Sequence, residues 1–327
     1  MVASKWAQPR QPPRSPRRTF TQRGAMNQRI SESYRAVVRS ESGVALARRP
    51  RLPLPPVSVR VRIKRTGLCL TDCRAAQGLL PTAGYVTLGH EASGIVSEVA
   101  ESKGAHIRVG DHVAIWPHLR CGVCQDCQLG LDCSRVQLGV EQDGTFAEEV
   151  TLPQGNVFRV PSTMSFERAA YFEPLVAALG ALLPAVAPKD TMYVHGEGRI
   201  AELTRRTLRA CGKRLVQSDE DPTWCVLPAP TVALMAELVA EAPRTTFILK
   251  LASRGAGFDR ETYERAGARF VTSTYGSQSK ALALLEDPTF PVDDLFETAV
   301  PLHVLCERLL APDRSPKKAF FDPELQG

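Results

Sequence analysis

At 327 residues, 43% hydrophobic and 23% charged, the chain is long enough for two cored domains and has the balance of an ordinary soluble globular protein. No apolar run approaches the ~18 residues of a membrane span. The net charge of +6 sits in residues 1–25, where Lys5, Arg10, Arg14, Arg17, Arg18 and Arg23 stand without an acid; the remainder is neutral, with thirty-five residues of each sign, so composition implies no nucleic-acid face.

In chain order, the first stretch adds Pro9, Pro12, Pro13 and Pro16 and lacks apolar periodicity. Residues 1–30 are therefore read as a disordered basic extension with no structural role, Met26 being a second candidate start. Short strands are expected at 34–38, 57–63, 92–99 and 112–116, separated by glycine and charged turns. Near residue 161 the character changes. Residues 166–183 form a long apolar, alanine-rich stretch read mostly as helix. Strands at 191–194, 214–217, 224–227 and 245–251 then alternate with helices at 199–210 and 232–240. Such alternation predicts a parallel sheet with helices on its faces.

Cys121, Cys124, Cys127 and Cys133 make two Cys-x-x-Cys steps with a fourth thiol one short loop later. Four thiolates so spaced can close around one zinc ion. The total of nine cysteines is odd and no secretory signal is evident, so a reducing, cytoplasmic setting and a metal site are expected rather than disulfides.

A second constellation is spread along the chain. It comprises Gly67-Leu68-Cys69-Leu70-Thr71-Asp72, then Gly89-His90-Glu91-Ala92-Ser93-Gly94, then Phe172-Glu173-Pro174-Leu175. One thiolate, one imidazole and one carboxylate are the donors of a catalytic zinc that keeps a position open. Thr71 offers a hydroxyl to pass a proton, and Asp72 could accept the second N–H of His90 and fix its tautomer. Each piece alone carries little, because a single cysteine is usually a buried apolar residue.

Together and in this order, these motifs resemble the zinc-dependent medium-chain alcohol dehydrogenase superfamily. That family has Gly-x-Cys-Gly-Ser/Thr-Asp, then Gly-His-Glu-x-x-Gly, then a four-cysteine lobe ahead of its cofactor domain. The resemblance runs from about Tyr34 to Pro323, and Glu173-Pro174-Leu175 resembles the polyol, threonine and butanediol branches. It implies an α/β plus β fold. A GroES-like β-rich catalytic domain would span 31–162, with its zinc lobe at about 118–135. A Rossmann-type doubly wound parallel sheet would span 163–274, and 275–327, with segments at 277–286, 303–310 and 318–321, would return to the catalytic domain. The resemblance further implies two zinc ions per chain. Cys69, His90 and Glu173 would hold the catalytic one, with Glu91 as an exchanging ligand, and the four lobe cysteines would hold the structural one.

The chain departs from that pattern in several places. Five residues separate Cys127 from Cys133 where the family has seven. Leu70 replaces a glycine, and Arg74 replaces a histidine of the proton relay, which is expected to end at Thr71 or take another route. Cys73 could compete as a ligand; it is read as a small core residue, as are Cys211, Cys225 and Cys306.

His195-Gly196-Glu197-Gly198-Arg199-Ile200-Ala201 follows a strand and opens a helix, the context of a dinucleotide fingerprint. Gly196 and Gly198 would let the backbone approach a pyrophosphate at the helix N-terminus. Ala201 takes the third glycine's place, and Arg199 would offset the carboxylate of Glu197. Asp219 is placed to bind a ribose 2′-hydroxyl, which predicts NAD over NADP. The next strand begins at Trp224, and the intervening five residues span only ~17 Å when extended. A parallel crossover needs a dozen residues or more. The sheet is therefore expected to be truncated, without its outer strand.

The resulting expectation is an NAD-dependent zinc oxidoreductase acting on a secondary alcohol: a polyol, amino alcohol or cyclitol. The alternatives are a zinc lyase or isomerase without net redox, or a degenerate non-catalytic homologue. Trp116, Tyr171 and Gly180 are named as pocket liners. The expected partners are a small alcohol or ketone and, as in relatives, further copies in a homodimer or homotetramer, with no nucleic acid and no membrane.

Overall fold

The structure is a computed structural model that describes residues 33–100, 106–119, 125, 136–182, 186–220, 222–228, 232–242, 244–250, 260–265, 269–273, 275–311 and 315–325. The basic extension and all four lobe cysteines lie outside the described residues. Among the described residues no helix is long and apolar enough to cross a membrane.

The first half is antiparallel. β1 (Ser33–Ser40) pairs with β2 (Gly43–Pro50), and β3 (Ser58–Gly67) is the central strand of the larger sheet. Alternation in β3 buries Val59, Val61 and Ile63 in one apolar cluster. The intervening Arg60 is also buried, and it stays so because Glu149 accepts from it at 2.8 Å. Helix α1 (Leu70–Ala76) follows β3 directly. β4 (Val86–Thr87), β5 (Glu91–Val99), β6 (His112–Ile115), β7 (His118–Leu119), β8 (Val136–Gln137), β9 (Glu149–Pro153) and β10 (Val157–Arg159) complete this half. Strand β5 lies antiparallel to β3, with Gly67 opposite Glu91.

The expected long helix over 166–183 is broken in two, α2 (Phe166–Ala170) and α3 (Phe172–Leu179), which meet at Tyr171. Pro174 is the cause: it has no N–H to offer the carbonyl of Ala170, and its ring would clash with that carbonyl. Both pieces feed one core with Trp116, Leu203, Ala281 and Phe320, residues drawn from both halves of the chain.

The second half alternates β11 (Thr191–Val194), α4 (Arg199–Ala210), β12 (Arg214–Leu215), β13 (Trp224–Leu227), α5 (Val232–Glu241), β14 (Thr246–Lys250), α6 (Arg260–Arg265) and β15 (Arg269–Ser273). The five strands are parallel in the order β12-β11-β13-β14-β15. The sheet winds outward in both directions from β11 and β13, so its crevice lies beyond the carboxyl ends of those strands. Among the described residues β12 is the edge, and the chain passes from it to β13 without a further strand, the truncation that the short span before Trp224 requires. After α7 (Gln278–Glu286), strands β16 (Val300–Pro301) and β17 (Phe320–Asp322) flank α8 (Leu305–Leu310). Strand β17 joins the first half's sheet, with Phe320 opposite Gly67.

Two differences from the sequence expectation have simple causes. Strand β2 mixes exposed and half-buried positions on both faces, so it has no apolar alternation to detect. Strand β15 is short and half-buried, and no run of apolar residues marks it.

Candidate active site

The junction of β3, α1 and β5 gathers the donors. Cys69 caps α1 at its N-terminal end, while His90 and Glu91 enter β5 opposite the end of β3. Ligand atoms of Cys69, His90 and Glu91 all lie within 4.8 Å of one another. A thiolate, an imidazole and a carboxylate at that separation fit a zinc ion by donor type. Gly89 supplies the approach: it adopts φ +94°, and a side chain there would meet Phe146 N at 2.6 Å.

Asp72 ties the two donor stretches together. Its Oδ2 accepts from Cys69 N at 3.1 Å, and its Oδ1 accepts from Gly89 N at 3.2 Å and lies 3.0 Å from His90 Nδ1. All of this is buried, with Asp72 1% and His90 2% exposed. Burial by itself would lower the His90 pKa. The charge and hydrogen bond of Asp72, with help from Cys69, outweigh it and push the value well above the ordinary range. In the neutral ring, Nδ1–H given to Asp72 leaves the lone pair on Nε2.

Glu173, the carboxylate named from sequence, stands beside this group rather than in it. Tyr275 donates to its Oε1 at 2.7 Å, and burial, then the charge of Glu91, raise its pKa. Glu91 in turn is ion-paired to the buried ammonium of Lys318. Gly67 leaves room for that ion pair, since a Cβ there would fall 2.6 Å from Lys318 Cε. Thr71 is half-buried in the first turn of α1. Cys73 packs with Leu68, Ala76 and Leu88 as a core residue.

Sequence reasoning gave no role to three residues that surround the site. The ring of His118 lies 5.1 Å from Trp116 and 4.6 Å from Tyr275, and Trp116 lies 5.0 Å from Tyr275. Burial drives the His118 pKa down to about 3, assisted by His90. Among the described residues its Nε2 has no hydrogen-bond partner. Lys250 ends β14, and burial holds its ammonium down at about 8 against the charge of Glu173. A lone His, Tyr or Lys has no local motif, so only the pairing of strands could reveal these. Of the liners named from sequence, Trp116 belongs to this aromatic group. Tyr171 packs into the core against Phe296, and Gly180 offers its carbonyl to Ser273.

The glycine turn is open. Gly196 and Gly198 adopt φ +90° and +97°, and a Cβ on either would meet nothing within 4 Å. The turn leads into α4, whose first N–H groups and dipole favour an anion. This cradle fits a pyrophosphate. The adjoining cleft, about 570 Å³, is lined by Val194, Gly196, Glu197, Arg205, Arg209 and Gln217 among others. Ala201 is buried under the turn. Arg199 reaches toward the carbonyls of Ser315, Lys317 and Leu68 at 3.3–3.5 Å, and Asp219 is exposed; neither lines the cleft.

Residues 55–162 match the family model of the alcohol dehydrogenase GroES-like domain. The chain is 30% identical over 235 residues to L-threonine 3-dehydrogenase of Pectobacterium atrosepticum, covering 68% of this chain and 64% of that protein. It is 30% identical over 242 residues to L-threonine 3-dehydrogenase of Sinorhizobium medicae, covering 70% and 69%. The match thus spans about two thirds of the length of these relatives. Among solved structures, acetophenone reductase of Geotrichum candidum in complex with NAD superposes with a TM-score of 0.74 at 16% identity, covering 90% of this chain and 98% of that one. At that identity the likeness is one of fold.

Proposed function

We propose a zinc-dependent, nicotinamide-linked oxidoreductase of secondary alcohols for this chain, which belongs to the zinc-dependent medium-chain alcohol dehydrogenase superfamily. The observation that carries the reading is the buried group of Cys69, His90 and Glu91, with donor atoms within 4.8 Å and two of its stretches tied by Asp72. The chemistry supplied there is Lewis-acid polarisation of a substrate oxygen by zinc and hydride transfer with a nicotinamide.

The chain's own residues have distinct parts. Cys69 and His90 would hold the ion, with Glu91 or Glu173 as the carboxylate. Asp72 fixes the His90 tautomer, and Lys318 balances the charge of Glu91. The Thr71 hydroxyl, two residues from Cys69, would relay the alcohol proton, accepting it while passing its own on toward solvent. Tyr275 holds Glu173 in place, and the rings of Trp116, His118 and Tyr275 exclude water from the site. The glycine turn at Gly196 and Gly198 would receive the dinucleotide pyrophosphate. A second zinc ion on Cys121, Cys124, Cys127 and Cys133, and assembly into a homodimer or homotetramer, complete the reading. A polyol, amino alcohol or cyclitol is the substrate class, and its relatives named for threonine favour an amino alcohol.

The test is NAD(P)H formation by zinc-loaded protein over a panel of secondary alcohols. Silence across the panel with zinc fully bound counts against the reading. A lyase or isomerase is the second reading, favoured by the truncated sheet. Turnover indifferent to added nicotinamide would select it.

A further inference from the structure

The cleft beside the glycine turn has a charge pattern that residue 219 does not control. An unmodified ribose is recognised by a carboxylate that accepts from its 2′-hydroxyl, whereas a 2′-phosphate needs cations. Asp219 is exposed and outside the cleft. Glu220 is occupied in its own turn, accepting from Gln217 N at 2.8 Å. The carboxylate that does line the cleft, Glu197, sits between the two glycines of the turn.

Two arginines face this space instead. Arg205 donates from Nη2 to the carbonyls of Val194, at 3.1 Å, and Gly196, which anchors its guanidinium beside the first glycine of the turn. Its contact with Glu202 is long, 3.4 Å, because that carboxylate pairs at 2.8 Å with Arg206, which turns away to Asp294. Arg209 lies one helical turn beyond Arg205 on the same side of α4; it is exposed and lines the cleft with Gln217. Guanidinium groups bind phosphate bidentately and do not titrate near neutrality.

We infer that this cleft takes a dinucleotide carrying a 2′-phosphate, NADP(H) in preference to NAD(H), with Arg205 and Arg209 as the phosphate-binding pair. The inference rests on the dinucleotide reading proposed above, and it replaces the preference for NAD expected from Asp219. Binding, measured without turnover, tests it. Calorimetric titration of the zinc-loaded full chain is expected to give NADPH a Kd ~10-fold below that of NADH, with 2′,5′-ADP likewise ahead of 5′-AMP. Arg209→Ala, an exposed change that spares the anchored Arg205, is expected to weaken NADPH by ~10-fold and NADH by less than ~2-fold. The gap between the two cofactors should narrow as salt is raised. Equal or tighter binding of NADH, or an equal loss for both cofactors in Arg209→Ala, overturns the inference and leaves the dinucleotide reading standing. Binding of neither cofactor overturns both.

Discussion

The ammonium of Lys318 and the carboxylate of Glu91 form an ion pair with 1% and 2% of their side chains exposed. They stand 227 residues apart in sequence and meet because β17 lies beside β3 while β5 lies on the other side of the same strand. Breaking a buried pair leaves one charge uncompensated in a medium that solvates it poorly. Lys318→Met should therefore destabilise the fold by ~3–5 kcal/mol, seen as a lower urea midpoint. The double variant with Glu91→Gln should recover most of that loss, and failure to recover would mean that the pair is not the source.

Asp72 accepts from both donor stretches at once. Asp72→Asn keeps the shape and removes the charge, so zinc affinity or turnover should fall ~10–100-fold. Competition with a chromogenic chelator reads the affinity. Cys69→Ser should cost one zinc ion per chain by metal analysis, and an unchanged zinc count would remove Cys69 from the ligand set.

His118 has a folded pKa of about 3 against an ordinary 6.5. Above pH 6.5 it is neutral in both folded and unfolded chains and adds no pH dependence. Between 6.5 and about 3 the unfolded chain takes up a proton that the folded chain refuses, so stability falls with falling pH by ~1.4 kcal/mol per unit from this group. His118→Phe should flatten that acid limb. Urea midpoints of both proteins at pH 7, 5.5 and 4.5 check it; parallel curves would contradict it.

Tyr275 donates to a buried carboxylate, Glu173, at 2.7 Å. Tyr275→Phe leaves that acceptor without its donor, at a cost of ~1–3 kcal/mol. The loss should appear as a lower unfolding temperature. A Glu173→Gln background should reduce the penalty, because the acceptor there is no longer charged.

Much of the architecture could be read along the chain. Strands at 191–194 and 224–227 and the helix at 199–210 follow from local pattern, since each buries a face set by its own periodicity. The loss of an outer strand followed from chain length between Asp219 and Trp224. The helix break at Tyr171 was also readable in principle, because Pro174 carries it. Strand β2 was not, since its exposed residues show no alternation.

By itself the sequence determined which kinds of donor are present, their order along the chain, and how far a few residues can reach. Those are properties of short stretches, governed by residue chemistry and covalent length. Tertiary structure alone decided that Glu91 rather than Glu173 joins Cys69 and His90 within 4.8 Å, that Lys318, Tyr275 and His118 surround them, and that arginines rather than Asp219 line the cleft beside the glycine turn. Burial and charge pairing depend on which distant strands lie side by side, and no local spacing encodes that.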